Sequence, residues 1–163
     1  MRKSFLILMG MVTSVLLFAT EEINGRIVSV IDGNTIEVVT AEKETYKIIL
    51  HGVDSPELEQ EYGDKARKYL EKKLLDKSVL VKIQGKDRWG TRLGVVVMDG
   101  AEDPRFGLLE EGLAWTSEKN PVAELETIKE KAREKGKGLW KAESPTPPWV
   151  FRRQQTMMLP KSS

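Results

Sequence analysis

The chain has 163 residues, with 26 basic and 25 acidic side chains, 40% apolar residues and no cysteine. That length suits one domain with appendages. The missing thiols exclude a disulfide framework, a thiolate metal centre, a cysteine nucleophile and a lipid-modified cysteine.

The first twenty residues read as a targeting segment. Arg2 and Lys3 make a short positive start, and an apolar run from Phe5 to Phe18 follows. Ala19-Thr20 then lead into Glu21-Glu22. This is the pattern of a secretory signal peptide. An uncleaved anchor through residues 5–18 is the alternative, although the run is shorter than the ~20 residues that span a bilayer comfortably. The expected location is therefore outside the cytoplasm, periplasmic or secreted, with no stable membrane span in the mature form. The expected division is a leader or anchor over 1–20, a domain over 21–140, and a proline-rich basic tail over 141–163. The domain holds 20 basic against 24 acidic residues, a net of −4. A domain that binds nucleic acid tightly and without sequence preference usually carries a basic excess. Here any such binding must rest on a local patch.

Arg26–Val30, Thr35–Thr40 and Thr45–Val53 are β-rich runs, and Asp32-Gly33 is a turn signal between the first two. They predict an antiparallel meander. Asp54-Ser55-Pro56-Glu57 breaks the ladder, because proline brings no amide donor. Ala66, Tyr69, Leu70 and Leu74 then follow a helical period, predicting a helix from about Asp64 to Leu75. Val79, Val81 and Ile83 alternate within a strand over Ser78–Gln84. A polar connection over Gly85–Thr91 leads to a buried strand, Leu93–Met98. Phe106–Glu111 reads as a short helix ended by Gly112. Asn120-Pro121 signals the start of another, with Val122, Leu125, Ile128 and Ala132 as its apolar stripe. Ser144–Trp149 reads as an extended proline-rich stretch. Trp89, Trp115 and Trp140 are expected in packing roles, and Trp149 is expected to dock the tail. Five strands with an inserted and a terminal helix suit an α+β, mainly β architecture: a small, partly open OB-type barrel with packed helices.

Several stretches in order carry a family resemblance. They are Val30-Ile-Asp-Gly-Asn-Thr-Ile36, Gly52-Val-Asp-Ser-Pro-Glu57, Tyr62-Gly63 with Ala66, Asp87-Arg-Trp-Gly90, Leu109-Glu-Glu-Gly-Leu-Ala-Trp115, Gly138-Leu-Trp140 and Pro147-Pro-Trp-Val-Phe-Arg-Arg153. Together they resemble the staphylococcal nuclease (thermonuclease) family over roughly residues 25–153. The last stretch is similar to the tail of many exported bacterial members. The resemblance implies a five-stranded OB-type barrel and calcium-dependent phosphodiester cleavage of DNA and RNA. It implies that Glu57 stands where the family keeps its general base. Asp54, Asn34 and the backbone carbonyl of Ser55 stand at the metal-ligand positions. Asn34 replaces an aspartate, which removes a negative charge and weakens the expected Ca2+ site.

The resemblance also shows what is missing. The two positions at which the family carries its phosphate-binding arginines are Ile49 and Thr91. Arginine suits that task because its planar fork pairs with two oxygens and stays charged. Lys47, on the same strand face as Ile49, and Arg92, next to Thr91, are the candidate substitutes. The expected function is thus a degenerate nuclease domain with little or no activity that binds nucleic acid or another phosphate-bearing ligand. The alternative is an active calcium-dependent nuclease using Glu57 and a substitute cation. His51, the only histidine, reads as structural.

Overall fold

The computed structural model describes residues 21–98 and 102–158. The leader or anchor expected over 1–20 lies outside these residues. β1 (Glu22–Val30), β2 (Thr35–Val39) and β3 (Thr45–Leu50) form the expected antiparallel meander, with Val30 opposite Ile36 and Thr35 opposite Ile49. β5 (Ser78–Lys86) and β6 (Arg92–Val97) form an antiparallel pair, and β5 also pairs with β1. β3 runs parallel to β6, with Ile49 opposite Leu93, and this contact closes the ring in the order β1-β2-β3-β6-β5. The barrel is closed rather than partly open. The parallel pairing joins distant segments and leaves no local mark in the sequence.

The alternation of apolar residues fills the interior. Ile27, Ile36, Val38, Ile48, Leu50, Val81 and Val96 are essentially inaccessible to solvent. Two-residue strands β4 (Val53–Asp54) and β7 (Trp115–Thr116) pair beside the barrel. That pairing fixes Asp54 opposite Trp115.

Helix α1 (Gly63–Leu74) buries Ala66, Leu70 and Leu74, one face at a spacing of four. α2 (Pro104–Glu110) begins with Asp103 accepting from the Arg105 amide at 3.0 Å and Pro104 in the first turn. α3 (Ala123–Glu134) seats Leu125 and Ala132 in the core. It starts later than Asn120-Pro121 suggests, because Val122 is still extended at its N-cap. After a 3-10 turn over Gly138–Lys141 the chain has no helix or strand until α4 (Pro148–Met158).

The extended reading of the tail therefore fits only up to Pro147; beyond it the chain is helical. Pro147 and Pro148 allow this, because a proline in the first turn gives up an amide that has no intrahelical partner. Trp149 packs edge-on against Trp115 at 6.4 Å between centroids, and Trp115 packs the same way against Trp140 at 5.5 Å. The expected docking role of Trp149 is thus what the structure shows. Trp89 departs from its expected packing role. It is 74% exposed in the β5–β6 connection, with the Arg88 guanidinium 3.9 Å above its ring.

Candidate active site

Two turns meet at one end of the barrel. In the β1–β2 connection Asp32 accepts from the Asn34 amide at 2.9 Å, which tightens the Asp-Gly-Asn turn. The buried Ser55 hydroxyl donates to the Gly33 carbonyl at 2.8 Å, joining that turn to the one after β4. Gly33 is required by this contact. A Cβ there would lie 2.5 Å from the Ser55 Cβ and 2.6 Å from that of Ala66. Gly63 is required for the same reason at the start of α1, since its Cβ would meet the Glu57 carbonyl at 2.0 Å. The turn carrying Glu57 is held further by Gln60, whose Oε1 accepts from the Glu57 amide at 2.9 Å.

These turns place Asp54 and Glu57 in a broad groove of about 1420 Å³, also lined by Asn34, Ile49 and residues of α4. The groove brings together most of the candidates read from the sequence. Asn34 points its amide nitrogen at the Val53 carbonyl, 3.4 Å away. Ile49 is part of the wall. Thr91 lies beside the groove, its amide bonded at 2.8 Å to Asp87, which also accepts from the Trp89 amide at 2.8 Å.

The two substitute cations lie elsewhere. Lys47 is exposed on β3, opposite Glu37 in the register, and does not line the groove. Arg92 is drawn to the other side of the barrel wall, where its Nε donates to Glu21 at 2.6 Å and its guanidinium lies 4.7 Å from the Tyr46 ring centroid. No bulge in β6 turns it back; the register shift in this pair falls between Ile83 and Gly85 on β5. Strand alternation therefore keeps it on the face opposite Thr91.

The cation that does enter the groove is Arg152, from α4. Its Nη1 and Nη2 donate to the two oxygens of Asp54 at 3.1 and 2.7 Å, and Nη1 also donates to Glu57 Oε1 at 2.6 Å. Asp54 is largely buried, with 17% of its side chain exposed, while Arg152 keeps 48% exposed. Burial pushes the Asp54 carboxyl above the ordinary aspartate range, and the bond from Arg152 pulls against that shift. The same contact, with Asp54 its main partner, holds the guanidinium more firmly protonated than a free arginine. Sequence reasoning placed Arg152 only within a tail motif. The signal that could have found it is Trp149 with Arg152, three apart and hence on one helix face, behind a proline pair that suits a helix start.

His51 lines the same groove, but its side chain makes no hydrogen bond to Asp54, Glu57 or Arg152. Burial and the neighbouring Arg105 charge hold its imidazole below its usual range, and its carbonyl accepts from Arg105 Nη1 at 2.7 Å. Arg105 itself is buried and paired with Asp103 at 2.6 Å.

Comparison with known proteins decides the kinship. A family model described as staphylococcal nuclease homologue matches residues 47–142. The chain belongs to the staphylococcal nuclease family. An uncharacterized endonuclease of Escherichia coli O157:H7 is 35% identical over 136 residues, covering 82% of this chain and 88% of its own. Protein ParB of Escherichia coli is 32% identical over 147 residues, covering 83% and 82%. A micrococcal nuclease of Shigella flexneri is 30% identical over 146 residues, covering 83% of each chain. The closed five-stranded barrel with its helices is the staphylococcal nuclease-type fold.

The family's calcium can be tested against the residues present. A hard cation needs several oxygens, and its affinity follows their charge. Among the described residues no cluster of three or more acids or histidines is arranged to hold a metal ion. Both oxygens of Asp54 are engaged by Arg152, and Asn34 offers only a neutral amide oxygen. This arrangement does not fit a tight calcium site.

Proposed function

We propose that this chain is a staphylococcal nuclease-family domain that binds single-stranded nucleic acid or a similar phosphate-bearing strand in its groove, with phosphodiester cleavage strongly reduced. The observation that carries this reading is the pairing of Arg152 with both Asp54 and Glu57. The carboxylate expected to ligate calcium and the carboxylate expected to act as base share the single positive charge of one arginine of the chain itself. Ile49, at one family arginine position, presents only an alkyl side chain to the groove. Losing one preorganised donor to the transition state typically costs about 10²–10³ in rate. Thr91 and Asn34 add to that loss at the same site. The losses need not multiply, because catalytic groups act together.

What remains can still take part in water attack. Arg152 bonds to Glu57 Oε1, while Oε2 takes no hydrogen bond among the described residues. Oε2 is therefore free to accept a proton from water at the groove floor. This retained base favours the second reading, an active calcium-dependent nuclease. Residues 1–20 are proposed to export the chain, to the periplasm or the medium, or to anchor it through 5–18. Residues 21–140 then act as the domain, and 141–163 as an appended segment.

The deciding measurement is cleavage of single-stranded DNA in calcium and in EDTA, beside a micrococcal nuclease at equal concentration. The reduced-activity reading expects a rate at least ~10²-fold below the control. Calcium-dependent cleavage near the control's rate, abolished by Glu57→Gln, would establish the active reading instead.

A further inference from the structure

The hydrogen bonds of Arg152 leave part of its guanidinium unused. The group carries five N–H donors in a rigid plane. Its end-on pair, one hydrogen from each Nη, is spent on the two oxygens of Asp54. The second Nη1 hydrogen goes to Glu57. The remaining edge consists of Nε and the second Nη2 hydrogen, and neither donates to any group among the described residues. Those two donors are parallel, which is the side-on geometry that receives two oxygens of one phosphate.

The setting keeps that edge in place. α4 is seated by Trp149 on Trp115. The segment before it is tied down by Gln60, whose Nε2 donates to the Thr146 carbonyl at 2.9 Å. Because Gln60 also holds the Glu57 amide, the turn bearing the acid and the segment bearing the arginine are positioned by one side chain. The two carboxylates act as a brace that orients the guanidinium, and nearly half of its surface stays open to solvent. Lys86 and Arg88 line the same groove and would keep a strand's flanking phosphates nearby.

We propose that Arg152, carried on the C-terminal helix, is the phosphate-contacting arginine of this groove, replacing the guanidinium absent at Ile49 and Thr91 with one delivered from a different element. The ligand is a phosphodiester of a single-stranded nucleic acid, held by the Nε–Nη2 edge. This inference rests on the binding half of the proposed function and is independent of how fast the domain cleaves.

The test measures binding of a fluorescent oligothymidylate in EDTA, which removes calcium and any cleavage. Arg152→Ala, Arg152→Lys and Arg153→Ala are compared with the parent chain, each checked for parental thermal unfolding. Arg153 also lines the groove but makes no bond to Asp54 or Glu57, so its loss removes the same charge without removing the braced fork. A charge-assisted bidentate contact predicts at least ~10-fold weaker binding for Arg152→Ala. Arg152→Lys should be several-fold weaker although its charge is kept, and Arg153→Ala should weaken binding clearly less than Arg152→Ala, as the loss of one groove-lining charge. Lysine binding as well as arginine, or Arg153→Ala matching Arg152→Ala, would overturn the proposal by reducing the effect to general charge. Tighter binding by Arg152→Ala would overturn it as well, since the arginine would then obstruct the groove. Should Arg152→Ala fail to fold, the lysine variant alone decides. Cleavage rates bear on the proposed function and leave this comparison untouched.

Discussion

Trp149 meets Trp115 edge to face, at 6.4 Å and an interplanar angle of 76°. Trp115 sits opposite Asp54 in the β4–β7 pair. The helix that carries Arg152 is thus anchored on the direct strand neighbour of the acid that Arg152 contacts. A ring pair of this kind adds about 0.5–1.5 kcal/mol beyond the area it buries. Trp149→Ala is expected to cost about 1–3 kcal/mol in all. It should also release α4 from the barrel. Hydrogen exchange would show the amides of 148–158 losing protection while those of β1–β3 keep theirs. An α4 that stays as protected as before would show that the tryptophan pair does not seat it.

Asp54 should report the arginine directly. Burial raises its carboxyl pKa and Arg152 counteracts the rise, so Arg152→Ala should move it further up. The sign for stability follows. An acid whose folded pKa exceeds its unfolded value contributes stability that is fully present below the unfolded pKa and is lost as pH rises through the folded one. Without Arg152 that loss should be larger and should extend to higher pH. The carboxyl carbon shift of Asp54, followed by NMR from acid to neutral pH in both chains, measures this. A midpoint that stays put or falls in the variant would contradict it.

The positions that resemble the family's missing groups can be refilled. Asn34→Asp, Ile49→Arg and Thr91→Arg together should raise calcium-dependent cleavage of single-stranded DNA by ~10²-fold or more. Ile49 already lines the groove, so an arginine there starts from the right wall. A fluorogenic DNA substrate gives the rate, and calorimetric titration gives the calcium affinity, which should also rise. An unchanged rate would mean that refilling these three positions does not complete the site.

Gly33 offers a stability test. Its added Cβ would press on two other Cβ atoms, those of Ser55 and Ala66, and neither can move without its backbone. Gly33→Ala should therefore destabilise by about 1–3 kcal/mol. The urea midpoint should fall at an unchanged slope. A midpoint equal to the parent's would show that the two turns can part at little cost.

The barrel strands and α1–α3 were legible in the sequence because each buries one face at its own period. Val79, Val81 and Ile83 alternate in β5, and Ala66, Leu70 and Leu74 recur every fourth residue in α1. Ring closure through β3 and β6 was not legible, because register between distant parallel strands depends on packing and not on neighbouring residues. The acids of the groove could be read from Asp54-Ser55-Pro56-Glu57, a local motif. Its arginine could not be read that way. Lys47 and Arg92 were candidates through nearness in sequence to Ile49 and Thr91, whereas the groove takes its cation from 98 residues beyond Asp54. The prolines before α4 also masked a helix, since the same residue that favours an extended chain can open a helical turn.

The long span between Asp54 and Arg152 has a consequence for how the molecule matures. Bringing such remote residues together carries a loop-closure cost that grows with the logarithm of the span. Contacts of this kind tend to form after local ones. The five strands can close and bury their interior without α4, whose largest partners lie outside the barrel. A folding chain would then pass through a state with a finished barrel and an unbraced pair of acids. In that state Asp54 and Glu57 lack their counter-charge, and the groove would disfavour a phosphate-bearing ligand until the last helix docks.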